Sequence, residues 1–312
     1  MRTTKDYLLL FLKGMGMGAA DTVPGVSGGT VAFITGIYEE LIASINKIDM
    51  EAFRLLTKMN IGMFWKKING NFLLALVSGI FVSLLSLARL MTYLLGKHPI
   101  LIWSFFFGLI LVSSPLIMRN ITKWSVSSVL TFIVGIIIAY FITIVSPAET
   151  PSGYLFIFLC GVLAICAMIL PGISGAFILL LLGKYEFMIN ALIDFNIPVI
   201  IVFILGCVLG LLGFSRFLNW ILTHYRFPTL ALLAGFMIGS LNKVWPWKEV
   251  ISFRINQDGN QVPALDKSIL PWDYFTITSQ DPQVFKAILS AAFGVFLVVA
   301  IEKVAAMLKT KS

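Results

Sequence analysis

One pattern of helix breakers occurs twice inside apolar sequence. Pro24-Gly25-Val26-Ser27-Gly28-Gly29-Thr30 returns as Pro171-Gly172-Ile173-Ser174-Gly175-Ala176-Phe177. At the same spacing, Gly36, Tyr38 and Glu39 fall opposite Gly183, Tyr185 and Glu186. In hydrocarbon an unpaired backbone N–H or C=O costs several kcal/mol, so a broken helix survives only where protein or a water-filled cavity surrounds it. A chain that breaks its apolar sequence twice in the same way must therefore fold around the two breaks.

The surroundings are those of a membrane. Of 312 residues, 59% are hydrophobic and 12% charged, against about 25% charged in a soluble domain. Apolar runs close to the roughly 20 residues of a span lie at about 71–95, 100–118, 125–146, 197–222, 228–243 and 284–308. No secretory signal is expected: the apolar stretch after Met1–Lys13 is interrupted by Gly14, Gly16 and Gly18, with no clear cleavage site. The net charge of +8 sits in short loops between spans, which membrane orientation explains better than a nucleic-acid partner, and none is expected. Cys160, Cys166 and Cys207 lie in apolar segments without a CxxC or a nearby His, so they read as small core residues, with no metal site.

Charge placement sets the threading. Lys and Arg favour the cytoplasmic side. They concentrate in the N-terminus (Arg2, Lys5, Lys13), loop 46–69, the Arg119/Lys123 turn, the His224/Arg226 turn and the C-terminus (Lys303, Lys309, Lys311). Loop 146–152 and the polar segment 244–283, with Asp258, Asp266, Asp273 and Asp281, ask to be outside. One threading satisfies all of these. Each motif segment, about 7–45 and about 153–193, enters and leaves on one face as a re-entrant hairpin, and three spans follow it. Three is odd, so the second half is inserted upside down. The expected fold is an all-α polytopic membrane protein with an inverted-topology repeat, each half a re-entrant helical hairpin plus three transmembrane helices. The halves are 1–146 and 147–312, with 244–283 an extracytoplasmic loop and both termini cytoplasmic. Aligning Gly79 with Gly206 extends the repeat, placing Arg89 on Arg216 and Tyr93 on Trp220.

The motifs point to an anion. Pro24-Gly25 and Pro171-Gly172 break the chain, and Ser27 and Ser174 are good N-cap types for the half-helices that follow. Backbone N–H groups at Gly28, Gly29, Thr30 and Gly175, with the helix dipole, suit a negative group. Arg89 and Arg216 lie inside spans, where an ionisable residue is expensive and is a functional candidate, and guanidinium grips phosphate bidentately. Asp21, Glu39 and Glu186 are candidates for coupling to H⁺ or Na⁺. Asp21 is one-sided, since its counterpart is Met168. Gly25-Val26-Ser27-Gly28-Gly29 also fits the G-x-S-x-G of serine hydrolases. The two histidines, His98 and His224, fall in short turns, and a nucleophile has no reason to recur in inverted copies.

The segment 18–30 (Gly-Ala-Ala-Asp-Thr-Val-Pro-Gly-Val-Ser-Gly-Gly-Thr), with its second copy at 170–175, resembles the bacterial polyprenyl-phosphate transporter family over essentially the whole chain. The resemblance implies a translocase in the bacterial cytoplasmic membrane, not an enzyme, returning undecaprenyl phosphate inward for carrier-lipid recycling. Ser27, Ser174, Arg89 and Arg216 are then expected on the phosphate, with no cofactor and with homo-oligomerisation left open. A transporter or channel for a small water-soluble anion is the alternative, and an intramembrane serine hydrolase the remote one.

Overall fold

The computed structural model describes residues 2–22, 26–145, 150–151, 153–255 and 261–309. The breaks at Pro24 and Gly25 lie outside the described residues, as does the Asp258-Gly259-Asn260 turn.

Among the described residues the regular structure is helical apart from one hairpin. Helix α1 (Thr4–Asp21) starts on a reciprocal cap between Thr3 and Asp6. Two short helices follow, α2 (Gly28–Ile34) and α3 (Tyr38–Asn46), separated by a turn at Gly36, whose φ is +71°. Then come α4 (Met50–Thr57), α5 (Ile61–Lys67) and three long helices, α6 (Gly70–Lys97), α7 (Pro99–Met118) and α8 (Val126–Ile144). The order then recurs. Helix α9 (Tyr154–Ile169) leads to the short helices α10 (Gly175–Leu181) and α11 (Tyr185–Ile193), again separated by a glycine, Gly183, with φ +62°. Helices α12 (Ile197–His224) and α13 (Arg226–Ser240) precede strands β1 (Lys248–Ile255) and β2 (Gln261–Ser268), and helices α14 (Pro271–Thr278) and α15 (Val284–Lys309) complete the chain.

Among the described residues, α7, α8 and α12 are long and apolar enough to cross a membrane singly. Counting each strongly bent pair as one span raises the number to five; the α10–α11 pair bends by 107°. The exterior is apolar, as a lipid-facing surface must be. Phe81 and Leu85 on α6, Leu130 and Phe141 on α8, and Leu209 on α12 are all exposed. This is a multi-pass membrane protein.

Four helix pairs make the scaffold: α1 on α6, α9 on α12, α8 on α13 and α7 on α15. Each crosses at glycine. A Cβ on Gly14 would overlap the Leu76 carbonyl, and one on Gly79 the Phe11 carbonyl. Gly161 and Gly206, Gly135 and Gly235, and Gly108 and Gly294 do the same for the other three pairs. Lipid tails are as apolar as leucine, so helix association in a bilayer depends on close van der Waals approach, which small residues permit.

Two segments between the long helices carry structure of their own. Loop 46–69 contains α4 and α5. Asp49 caps the first, its Oδ1 accepting from Ala52 N–H at 2.8 Å, and Asn60 caps the second. Lys67 pairs with Asp49 at 2.8 Å and with Glu51. These helices are only 8 and 7 residues long, too short to show a period within so basic a run. Among its described residues, segment 244–283 holds a small hairpin. β1 and β2 pair antiparallel with Lys248 opposite Ser268. Trp247 and Tyr274 pack with Ile100 and Ala287, tying the segment to the ends of α7 and α15.

Candidate functional site

The two motif segments touch. Thr30, fully buried, accepts a hydrogen bond through Oγ1 from the Gly172 N–H at 2.9 Å. The Ser27 hydroxyl, also fully buried, donates to the Met168 carbonyl at 2.8 Å. Gly29 makes the approach possible, since a Cβ there would lie 2.5 Å from the Ile169 oxygen and 2.9 Å from the Met168 oxygen. Gly172 adopts φ +89°, in the left-handed region, and its α-carbon faces the Phe236 carbonyl.

Around the first motif the backbone donors are engaged. Ser27 caps α2, accepting from the Gly29 N–H at 3.0 Å, and the Thr30 N–H bonds the Ser27 carbonyl at 2.9 Å. The Gly28 N–H donates to Asp21 Oδ1 at 2.7 Å. The Asp21 carboxylate thus sits where the sequence reading puts an external anion. Its Oδ2 is buried with no hydrogen-bond partner among the described residues. Gly28 leaves room for it, because a Cβ there would stand 2.5 Å from that oxygen.

The second motif is built differently. Ser174 caps α10, accepting from the Phe177 N–H at 3.5 Å. With Gly172, Phe177, Thr143 and Lys243 it lines a small pocket between α8, α10 and the end of α13. The Lys243 ammonium lies over the Phe177 ring, 4.6 Å from its centre, within cation–π range. Sequence reasoning missed Lys243. The available signal was a lysine at the end of a span on the side assigned to acidic loops, against the positive-inside bias. Lys184 was missed too: it is buried, bonds the Thr150 carbonyl at 2.7 Å and faces Phe156 and Phe187.

The other candidates lie apart. Arg216 is exposed on α12, with Nη2 3.5 Å from the Ile48 carbonyl. Arg89 lies on α6, and its side chain is outside the described residues. Glu39 pairs with Arg226 at 3.0 Å, both about half exposed, and Glu186 is half-buried in the first turn of α11. Ser27 Oγ spends its proton on a carbonyl, and His224 Nδ1 lies 2.9 Å from the Trp220 carbonyl. This arrangement holds a helix cap and does not pair a nucleophile with a base.

Comparisons with known proteins follow the same line. The VCA0040-like family, described as undecaprenyl phosphate translocase-like, matches residues 17–262. A polyprenyl-phosphate transporter of Vibrio cholerae serotype O1 is 47% identical over 302 residues, covering 97% of this chain and 98% of that one. A polyprenyl-phosphate transporter of Staphylococcus aureus is 33% identical over 253 residues, covering 75% of this chain and 85% of that one. No solved structure matches. With one family model spanning most of its length and both motif segments, the chain belongs to the undecaprenyl phosphate translocase-like family.

Proposed function

We propose that this protein carries polyprenyl phosphate, undecaprenyl phosphate above all, from the outer to the inner leaflet of the bacterial cytoplasmic membrane. Family membership and the named relatives support the substrate class. The observation that carries a transport mechanism is the interlock of the two broken segments, Thr30 with Gly172 and Ser27 with Met168. Two irregular backbones buried against each other are the arrangement secondary transporters use at a substrate site.

In this reading the two series of helices, 1–146 and 147–312, are inverted repeats, and each motif segment is a re-entrant hairpin. The recurring helix order and the matched glycine crossings support it. Seven- and nine-residue helices follow the break in both series. The phosphate head passes along the interlock, with Ser27, Ser174 and the arginines Arg89 and Arg216 reaching it in other states of the cycle. Asp21, whose carboxylate closes the first turn, exchanges a proton or Na⁺ as the phosphate arrives. Glu39 acts as a tie on the face carrying the His224/Arg226 turn, where its pairing with Arg226 joins α3 to α13.

Purified protein reconstituted in liposomes loaded with undecaprenyl phosphate tests the proposal. Head-group exposure on the outer surface should change faster than in empty liposomes, and an imposed H⁺ or Na⁺ gradient should accelerate it. A rate equal to that of empty liposomes under every gradient would sink the transport reading.

A further inference from the structure

At the end of α13 two lysines share one carboxylate. Lys243 Nζ lies 3.2 Å from Asp266 Oδ1, and Lys248 Nζ lies 3.1 Å from Asp266 Oδ2. Lys248 also donates to the Lys243 carbonyl at 2.7 Å and lies over the Trp103 ring. All three side chains are largely covered, at 15% exposure for Lys243, 12% for Lys248 and 28% for Asp266. The cluster therefore holds one positive charge more than negative in a place where charge is poorly solvated, and a buried charge is stabilised by a partner of opposite sign. Lys243 is also the member that borders the pocket shared with Ser174, Thr143 and Gly172.

We infer that Lys243, with the Ser174 hydroxyl, forms the receiving site for a phosphate monoester head group on the β-hairpin side of the protein. Asp266 is the resident counter-ion that the phosphate replaces. The inference rests on the transport reading above and assigns the site of first contact.

The second lysine makes the exchange feasible. When Lys243 turns to the phosphate, Asp266 keeps Lys248 as its partner, so no carboxylate is stranded. A phosphate monoester carries about −1.5 to −2 charges near neutral pH and offers three strong acceptor oxygens, enough for the ammonium and the Ser174 hydroxyl. The Phe177 ring under the ammonium holds Lys243 at the pocket and offers apolar surface to the first carbons of a lipid tail. The β-hairpin, joined to α13 through Asp266 and through Ser268 Oγ donating to the Asn242 carbonyl at 3.2 Å, then reports occupancy to the outside of the membrane.

Isothermal titration of full-length protein in detergent with farnesyl phosphate, farnesol and inorganic phosphate tests the site. Wild type should prefer farnesyl phosphate to farnesol. Lys243→Gln should weaken farnesyl phosphate about ten-fold or more, the usual scale for a hydrogen bond to a charged group, and leave farnesol unchanged. Lys243→Arg should restore most of the loss, and Asp266→Asn should tighten farnesyl phosphate by removing its competitor. Unchanged binding in Lys243→Gln, or no phosphate preference in wild type, overturns the site whatever the liposomes show. If Lys243→Gln fails to fold, Asp266→Asn decides: tighter binding upholds the site, and equal or weaker binding overturns it. Displacement by inorganic phosphate at equal concentration upholds the site and overturns the lipid reading. A liposome assay without transport beside intact Lys243-dependent binding overturns the transport reading alone.

Discussion

The two copies of the Pro-Gly-x-Ser-Gly motif lead into helices of matching length and do different work. In the first, Ser27 makes two hydrogen bonds, at 3.0 and 2.8 Å, and Asp21 closes the turn. In the second, Ser174 makes one long cap bond of 3.5 Å beside a pocket, with a lysine in place of an internal carboxylate. The sequence departures between the copies explain the difference. Gly29-Thr30 provides closeness and an acceptor, so the first copy latches onto the second. Ala176-Phe177 provides a ring, and that ring seats Lys243. Duplication supplied one turn twice, and substitution made one the latch and the other the candidate receptor.

The sharpest way to break the comparison is to exchange residues between copies. Gly29→Ala should destabilise the protein by about 1–3 kcal/mol, because the new Cβ meets backbone carbonyls that cannot swing aside. The matching change Ala176→Gly should cost no more than about 1 kcal/mol. Reversible unfolding in mixed micelles measures both, and equal costs would refute the latch.

Thr30→Val comes next. It strands the buried Gly172 N–H and should cost about 1–3 kcal/mol, whereas Thr30→Ser keeps the acceptor. Serine truncation should then be unequal. Ser27→Ala loses a cap and a link between segments, near the upper end of the roughly 0.5–2 kcal/mol range for caps, and Ser174→Ala falls near the lower end. The same unfolding series would show the order, and a larger loss at Ser174 would reverse the assignment.

Smaller effects sit at the edges. Burial pushes the Lys248 ammonium down to about 8, with the neighbouring charge of Lys243 adding to the fall and Asp266 opposing it. The folded protein therefore binds fewer protons there than the unfolded chain between about pH 8 and an ordinary lysine value near 10.4. Stability from this group is full above that upper value and is lost as pH falls through 8. Lys248→Met should flatten that alkaline slope, followed by Trp247 fluorescence during unfolding. Least of all, Glu39→Gln breaks a half-exposed pair and should change stability by under about 1 kcal/mol.

Much of this was legible in the chain. Breakers inside apolar runs announced the two turns, and the repeat spacing announced that they correspond. The detail of their contact was not legible, because it depends on Gly29 lying against Ile169, which no local pattern encodes. Asp21 was visible as a lone carboxylate, but its pairing with the Gly28 N–H required knowing that α1 ends beside the start of α2. Arg216 shows what spacing leaves open: a matched arginine inside a span does not fix which way its helix is turned, and here it lies exposed near the Ile48 carbonyl. Lys243 was hidden by its segment, since four aspartates in 244–283 drew attention from the lysine just before them.

The glycine crossings carry a genetic consequence. What faces Gly14 is the Leu76 carbonyl and the Gly79 α-carbon, with no side chain between. A bulky replacement at any of these eight glycines therefore cannot be rescued by trimming its neighbour, because the neighbour has nothing left to trim. Revertants of such a lesion should restore the glycine itself or arise far along the helix, where a change of tilt can reopen the crossing.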